Sequence, residues 1–298
     1  GYKINEYGLF KGDKFICGET EAEIYKLLGL QWIAPELRED RGEVEAAAQN
    51  KLPELIELSD IKGDLHVHTV DSDGHGRLED LIAGAKKLGY QYLAVCDHSR
   101  SAGYANGLSA ERLLLQMEKI RNLNEKLPDF TVFCGSEVDI LDDGSLDFPD
   151  EILSQLDIVV AAIHSNFQKN ATERILTAMD NPYVDIIAHP TGRLINRREA
   201  YQVDIPEIIK KAKEKNIALE INSHPWRLDL NDQHVRLAIE TGTLLSVNTD
   251  AHKVTDLEFM KFGVGTARRG WATADMIINT LSYQKLIDWK KQRTEMAR

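Results

Sequence analysis

Seven short apolar runs, separated by helix-like stretches, constrain this chain more than any other feature. They are Asp64–His68, Tyr92–Asp97, Thr131–Asp139, Ile158–His164, Val184–His189, Ala218–Asn222 and Leu244–Asp250. Runs of this kind suit parallel strands buried on both faces. Helical patterns fall between and after them, at Arg77–Leu88, Ser109–Lys126, Glu151–Leu156, Thr172–Met179, Ile205–Lys215, Asp232–Glu240, Thr273–Leu281 and Tyr283–Arg293. Strand–helix alternation repeated in this way predicts an α/β fold, a (β/α) barrel. Such barrels usually count eight strands, so this one would be closed or distorted at seven.

Nine residues of metal-ligand type sit where these runs stop: His66, His68, Asp73, His98, Glu137, His164, His189, Asp250 and His252. In a parallel barrel, strand ends converge on one rim, where chemistry is usually placed. In Asp64-Leu65-His66-Val67-His68 the alternation points both imidazoles to one face, with Cα atoms roughly 6.5–7 Å apart. Leu65 and Val67 then face the covering helices. Any one of these histidines is more often a packed residue than a ligand; together they define a site. Asp139, two residues past Glu137, is expected to support rather than ligate. His75 reads as a loop residue, His234 as surface, and His224, after the sixth strand, as a residue that could touch substrate.

Imidazole and carboxylate ligands without thiolate suit Zn, Mn or Fe. Clustered ions of this kind activate water and clamp phosphoryl oxygens, so phosphate-ester hydrolysis is the natural chemistry. No Ser-His-Asp order, P-loop or dinucleotide fingerprint competes with it.

Composition bounds the partners. The net charge of −12 weighs against tight, non-specific nucleic-acid binding. Bound metal would offset part of it, and local basic clusters exist: Arg193, Arg197 and Arg198; Arg268 and Arg269; Lys290, Lys291 and Arg293. Each cluster reads equally well as a solvated face. Mean hydropathy is −0.34, and no apolar run approaches membrane-spanning length. With no signal-peptide pattern and three cysteines (Cys17, Cys96, Cys134) in no framework, the expected location is cytoplasmic.

Residues 1–60 differ from the rest. Residues 2–17 read as a hairpin, followed by a helix with a capping box from Thr20 to Glu23. Ile33–Asp60, with Pro35 and Pro53 and one helical run near Gly42–Ala48, reads as a connector. The chain begins at Gly1 directly in strand-like sequence and is read as part of a longer protein.

The series His66-x-His68, Asp97-His98, Glu137, His164, His189 and Asp250-x-His252 resembles the polymerase-and-histidinol-phosphatase (PHP) family. The resemblance covers roughly residues 61–281 and implies a distorted seven-stranded (β/α) barrel with a trinuclear metal site. A closer resemblance is to the C-terminal part of bacterial and archaeal family X DNA polymerases. It is carried by GYKINEYGLF (1–10), LLGLQWIAPELRED (27–40), GDLHVHT (63–69), GSEVDIL (135–141), AHPTGRL (188–194), RLDL (227–230) and ARRGW (267–271). Residues 1–60 would then be the end of the polymerase thumb and a linker, and 61–298 the phosphoesterase domain. Polymerisation would need upstream residues.

The resemblance further implies that His66, His68, Glu137 and Asp250 hold a first ion. Glu137 would bridge to a second, also held by His164 and His189; Asp73, His98 and His252 would hold a third. Many relatives have histidine at the position of Asp73; the polymerase branch, like this chain, has Asp. The implied activity is Mn-dependent 3′→5′ exonuclease action on DNA 3′ ends, with processing of damaged ends and abasic sites. Arg193 is the first expected phosphate-binding cation, then Arg227 and Arg100. The alternatives are a phosphomonoesterase acting on a small metabolite and a non-catalytic module of the polymerase. An amidohydrolase also uses H-x-H after its first strand. It typically needs a bridging lysine after strand four and a lone Asp at the last strand, where this chain has His164 and Asp250-x-His252.

Overall fold

The computed structural model describes residues 1–296, which divide into two compact units, Gly1–Glu54 and Leu55 onward. In the first, residues 3–17 form a three-stranded antiparallel sheet rather than a simple hairpin: β1 (Lys3–Asn5), β2 (Gly8–Lys11) and β3 (Lys14–Cys17). The second reversal turns on Gly12, whose φ of 62° lies in the left-handed region. Helix α1 (Glu21–Leu27) has half of the expected capping box. The Thr20 hydroxyl accepts from the Glu23 amide, but the Glu23 carboxylate accepts from the Glu19 amide instead of that of Thr20. The stretch expected as a connector is partly folded. It contains α2 (Glu43–Ala48), and Ile33, Leu37 and Ala47 are buried.

In the second unit, seven parallel strands pair in chain order: β4 (Gly63–Val67), β5 (Tyr92–Val95), β6 (Thr131–Asp139), β7 (Ile158–Ala162), β8 (Ile186–Ile187), β9 (Ala218–Asn222) and β10 (Leu245–Asn248). Apolar side chains pack on both faces of the sheet. The seam between β4 and β10 is where the barrel departs from regularity. A parallel bridge links Val67 to Ala251, three residues past the end of β10. Asn279 fills the gap: its Nδ2 donates to the carbonyls of Gly63 (3.1 Å) and Val247 (2.8 Å), and its Oδ1 accepts from the Val247 amide (2.8 Å). Ile277 makes an isolated parallel bridge to Leu245.

The helices are α3 (Leu78–Lys87), α4 (Ala110–Asn124), α5 (Asp150–Leu153), α6 (Ala171–Ala178), α7 (Ile205–Lys215), α8 (Asp232–Thr241), α9 (Met260–Arg269) and α10 (Tyr283–Met296). The helix expected at Thr273–Leu281 is instead two short 3-10 turns, because this segment supplies Asn279 to the seam. Helix α9 was hidden in the sequence by Gly263 and Gly265, poor helix formers. Gly263 is needed there: a Cβ would fall 2.0 Å from the Ser223 hydroxyl oxygen. Helix α10 closes the N-terminal end of the barrel with Leu286 and Trp289. Its Lys290 and Arg293 pair with buried Asp185 at 3.1 and 2.7 Å, so these two cations of the terminal basic cluster face inward. No described helix is long and apolar enough to cross a membrane.

Candidate metal centre

The C-terminal strand ends gather all nine expected ligands. His66 and His68 are fully buried, and their Nε2 atoms face each other at 3.1 Å. Asp250 Oδ1 lies 3.1 Å from His68 Nε2 and 3.8 Å from His66 Nε2. Glu137, buried at the middle of the cluster, uses both carboxylate oxygens. Oε1 is 2.9 Å from His189 Nε2 and 3.2 Å from His164 Nε2; Oε2 is 3.0 Å from His98 Nδ1 and 3.4 Å from His66 Nε2. At the outer edge, Asp73 lies 3.3 Å from His252 Nε2 and 3.6 Å from His98 Nε2.

The ligand atoms form three groups, each with its atoms within 4.8 Å of one another: His66, His68 and Asp250; His98, Glu137 and His164; His68, Asp73, His98 and His252. The grouping differs in detail from the one the resemblance implied. His68 and His98 each belong to two groups, and His189 stands beside Glu137 without entering one.

The barrel itself orients these side chains. Strand β9 brings Glu220 and Asn222 inside: Glu220 Oε1 accepts from His66 Nδ1 (2.8 Å), and its Oε2 accepts from the His189 amide (2.8 Å). Asn222 Nδ2 donates to Asp250 Oδ2. Asp139 accepts from His164 Nδ1 at 2.5 Å and from the Ser101 hydroxyl, the supporting position expected for it. Asp97 accepts from the amide and hydroxyl of Thr69 and from Ser72, fixing the loop that carries Asp73. Two site residues hold left-handed backbones, His189 at φ 29° and Asp250 at φ 53°, a costly conformation that here aims a side chain into the cluster.

The electrostatics call for cations. Burial opposes charge on His66, yet Glu137, Glu220 and Asp250 raise its proton affinity well above the ordinary imidazole value. Burial likewise opposes charge on His164, while Glu137 and Asp139 push it up to about 10. His68 goes the other way, down to about 3, through burial and the nearby His252 and His98. Burial resists ionisation of Glu137, but His164, His66 and His98 hold its carboxyl well below the usual range. The ring nitrogens His68 Nδ1 and His189 Nδ1 are buried without a hydrogen-bond partner among the described residues. A dense set of imidazoles and carboxylates with buried lone pairs fits borderline divalent metals such as Zn, Mn and Fe.

The three expected cations differ in role. Arg193 donates from Nε to the Arg227 carbonyl (2.9 Å) and from Nη2 to the Leu228 carbonyl, which ties two rim loops together. Arg227 lies with Nε 3.3 Å from Asp250 Oδ2, while its buried Nη1 has no hydrogen-bond partner among the described residues. Arg100 is exposed, 3.8 Å from Asp147. Of the remaining histidines, His75 lies in a loop and donates its amide to the His252 carbonyl. His224 packs edge-on against Trp226 and Phe259, and His234 is half-buried in the first turn of α8 rather than on the surface. Sequence reading missed Glu220, the carboxylate behind His66. The only available signal was a charged residue within an apolar strand.

Family models match two segments: a DNA polymerase beta thumb over residues 1–39 and a PHP domain over residues 64–224. The chain is 45% identical over 290 residues to the DNA polymerase/3′-5′ exonuclease PolX of Bacillus subtilis (strain 168). That alignment covers 95% of this chain and 50% of the relative, so the chain spans half of that protein's length. It is 30% identical over 234 residues to a protein named a probable phosphatase in Thermoanaerobacter sp. (strain X514), covering 73% of this chain and 89% of that one. Among solved structures, the HisK structure from Listeria monocytogenes superimposes with a TM-score of 0.53 at 18% identity, over 66% of this chain and 97% of the other. That last similarity concerns the fold.

Proposed function

This chain belongs to the PHP-domain family, and on that basis we propose that it is a metal-dependent phosphoesterase acting on DNA as a 3′→5′ exonuclease, with manganese the favoured ion. The observation that carries the reading is Glu137, a buried carboxylate whose two oxygens meet four imidazoles within 3.4 Å. The similarity to a relative named a 3′-5′ exonuclease gives it a substrate class.

In this reading three ions would be held. His66, His68, Glu137 and Asp250 would take one, Glu137 with His164 and His189 the second, and Asp73, His98 and His252 the third. Such ions supply the Lewis-acid charge that activates water near neutral pH and screens a phosphodiester. The protein's own groups do the rest. Glu220 and Asp139 hold His66 and His164 in the tautomers whose Nε2 lone pairs face inward. Arg227 offers Nη1 to a non-bridging phosphate oxygen, and Arg193 fixes the loop that presents it. Arg100 lies farther out and would meet a neighbouring phosphate.

Residues 1–60 are assigned to the end of a polymerase thumb and its linker, and 61–298 to the phosphoesterase. Polymerase activity would reside upstream, in a domain that serves as partner to this one. Three free cysteines accord with a reducing, cytoplasmic location.

A phosphomonoesterase is the second reading, supported by the Thermoanaerobacter relative; the thumb match at residues 1–39 favours DNA. The deciding experiment is a gel assay with Mn²⁺ and 5′-labelled primer–template DNA, with His68→Ala as control. A ladder shortening from the 3′ end and absent in the control supports the exonuclease. No ladder, with rapid turnover of a small phosphomonoester, would replace it with the second reading.

A further inference from the structure

Tyr104 is exposed over 73% of its surface, yet it stands at the rim of the metal centre. Its ring centroid is 6.2 Å from that of His98 and 6.4 Å from that of His164. The turn that presents it is fixed. Asn106 Nδ2 donates to the carbonyls of Asp71 (3.1 Å) and Ser72 (3.3 Å), and Arg112 Nη1 to those of Asn106 (3.1 Å) and Gly107 (3.3 Å). A Cβ on Gly107 would fall 1.9 Å from the Ser99 carbonyl oxygen, so the turn closes too tightly for another residue. Ser101, at its start, is bound to Asp139 and through its amide to Asp147.

A large apolar ring left in water on a fixed turn is positioned for a flat partner at little entropic cost. Around it the site is acidic, with Glu137, Asp139 and Asp73 close by. Tyr104 is neutral and adds nothing to phosphate binding that ions and Arg227 would supply. A nucleobase attached through one sugar to a phosphate at the cluster would come within reach of this ring. Trp226, also exposed at the rim, already has one face covered by the Arg197 guanidinium, 3.3 Å from its centroid.

We infer that Tyr104 forms a nucleobase subsite, stacking on the base of the 3′-terminal nucleotide and so selecting nucleotide over small phosphate esters. The inference rests on the phosphodiesterase reading. Its test uses this chain with Mn²⁺ and two 5′-labelled single-stranded oligonucleotides, identical except that the 3′-terminal residue bears adenine in one and is an abasic tetrahydrofuran in the other. Base–aromatic stacking predicts that Tyr104→Leu lowers kcat/KM on the adenine end by about tenfold or more, mainly through KM. The abasic end should be cleaved at an unchanged rate, and Tyr104→Phe should behave as wild type on both. Equal losses on the two substrates, no loss on either, or a loss in Tyr104→Phe matching that in Tyr104→Leu would overturn the subsite. If the wild-type chain cleaves neither oligonucleotide, the phosphodiesterase reading fails first, and the subsite with it.

Discussion

The Nδ1–H of His66 donates to Glu220 Oε1 across 2.8 Å inside the barrel, which leaves Nε2 facing Asp250 and Glu137. A carboxylate behind a ligating imidazole fixes its tautomer and raises its basicity, and loss of such a partner typically costs 10–100-fold in metal affinity or activity. Glu220→Gln keeps the shape but removes the charge. It should weaken Mn²⁺ binding by about tenfold or more, read by calorimetric titration, while the circular dichroism spectrum stays that of the wild type. Unchanged affinity would mean that His66 is not a ligand.

Glu137 is the residue whose loss should be least tolerated for hydrolysis. Glu137→Ala removes the carboxylate common to four imidazoles, and His68→Ala removes a ring shared by two ligand groups. Each variant should lose hydrolysis by more than about 10²-fold, beyond the range for losing a partner behind a ligand, with the barrel still folded. A near-normal rate in either would sink the site assignment.

Arg193 and Arg227 should separate cleanly. Arg227→Ala would remove the proposed charge-assisted phosphate contact, worth about 1.5–3 kcal/mol. It should raise KM by about one to two orders of magnitude, with a smaller effect on kcat. Arg193→Ala instead unties the loops that meet at Arg227 and Leu228. Its main effect should be a lower melting temperature, with KM following only as far as Arg227 drifts. The reverse pattern would restore Arg193 to the substrate role expected from sequence.

The two arginines mark how much of the site the sequence could convey. The strand ends were readable because apolar runs stop abruptly at His, Asp or Glu, and ligand identity does not depend on side-chain direction. The roles of Arg193 and Arg227 do depend on it, since both sit in loops after strands and only the fold shows which guanidinium is satisfied by carbonyls. Glu220 was missed for a related reason: inside an apolar run, alternation alone cannot say which face of β9 meets the metal site. The seventh-strand closure was legible as a count, but its means were not. Asn279 lies in a segment whose composition reads as helix, and only its insertion between β4 and β10 explains the two short turns there.

At the other end of the barrel, Asp185 is fully buried and paired with Arg293 at 2.7 Å and Lys290 at 3.1 Å. Removing one partner of a buried pair costs about 3–5 kcal/mol, because the remaining charge is left without compensation. Arg293→Ala should therefore lower the melting temperature by about 6–20 °C for a domain of this size. Lys290 can take up part of the loss, which favours the lower figure. Hydrolysis measured well below the melting point should be unaffected, because α10 closes the end of the barrel remote from the ligands. A selective loss of activity without loss of stability would mean that the two ends are coupled.

Metal removal should affect stability as well as activity. Without ions, the buried carboxylates Glu137 and Asp250 are compensated by protonated imidazoles, His66 and His164 foremost. An ion that binds only the folded state at 100 times its Kd stabilises it by about 2.7 kcal/mol. That is about 5–11 °C in melting temperature for each ion in a domain of this size. Chelation should lower the transition accordingly, and Mn²⁺ titrated back should restore it in steps if the three ligand groups differ in affinity. The His68→Ala variant, lacking a ring that serves two groups, should recover the least. Equal transitions in chelator and in excess Mn²⁺ would mean that the cluster holds no ion tightly, and the hydrolase reading would then lose its physical basis.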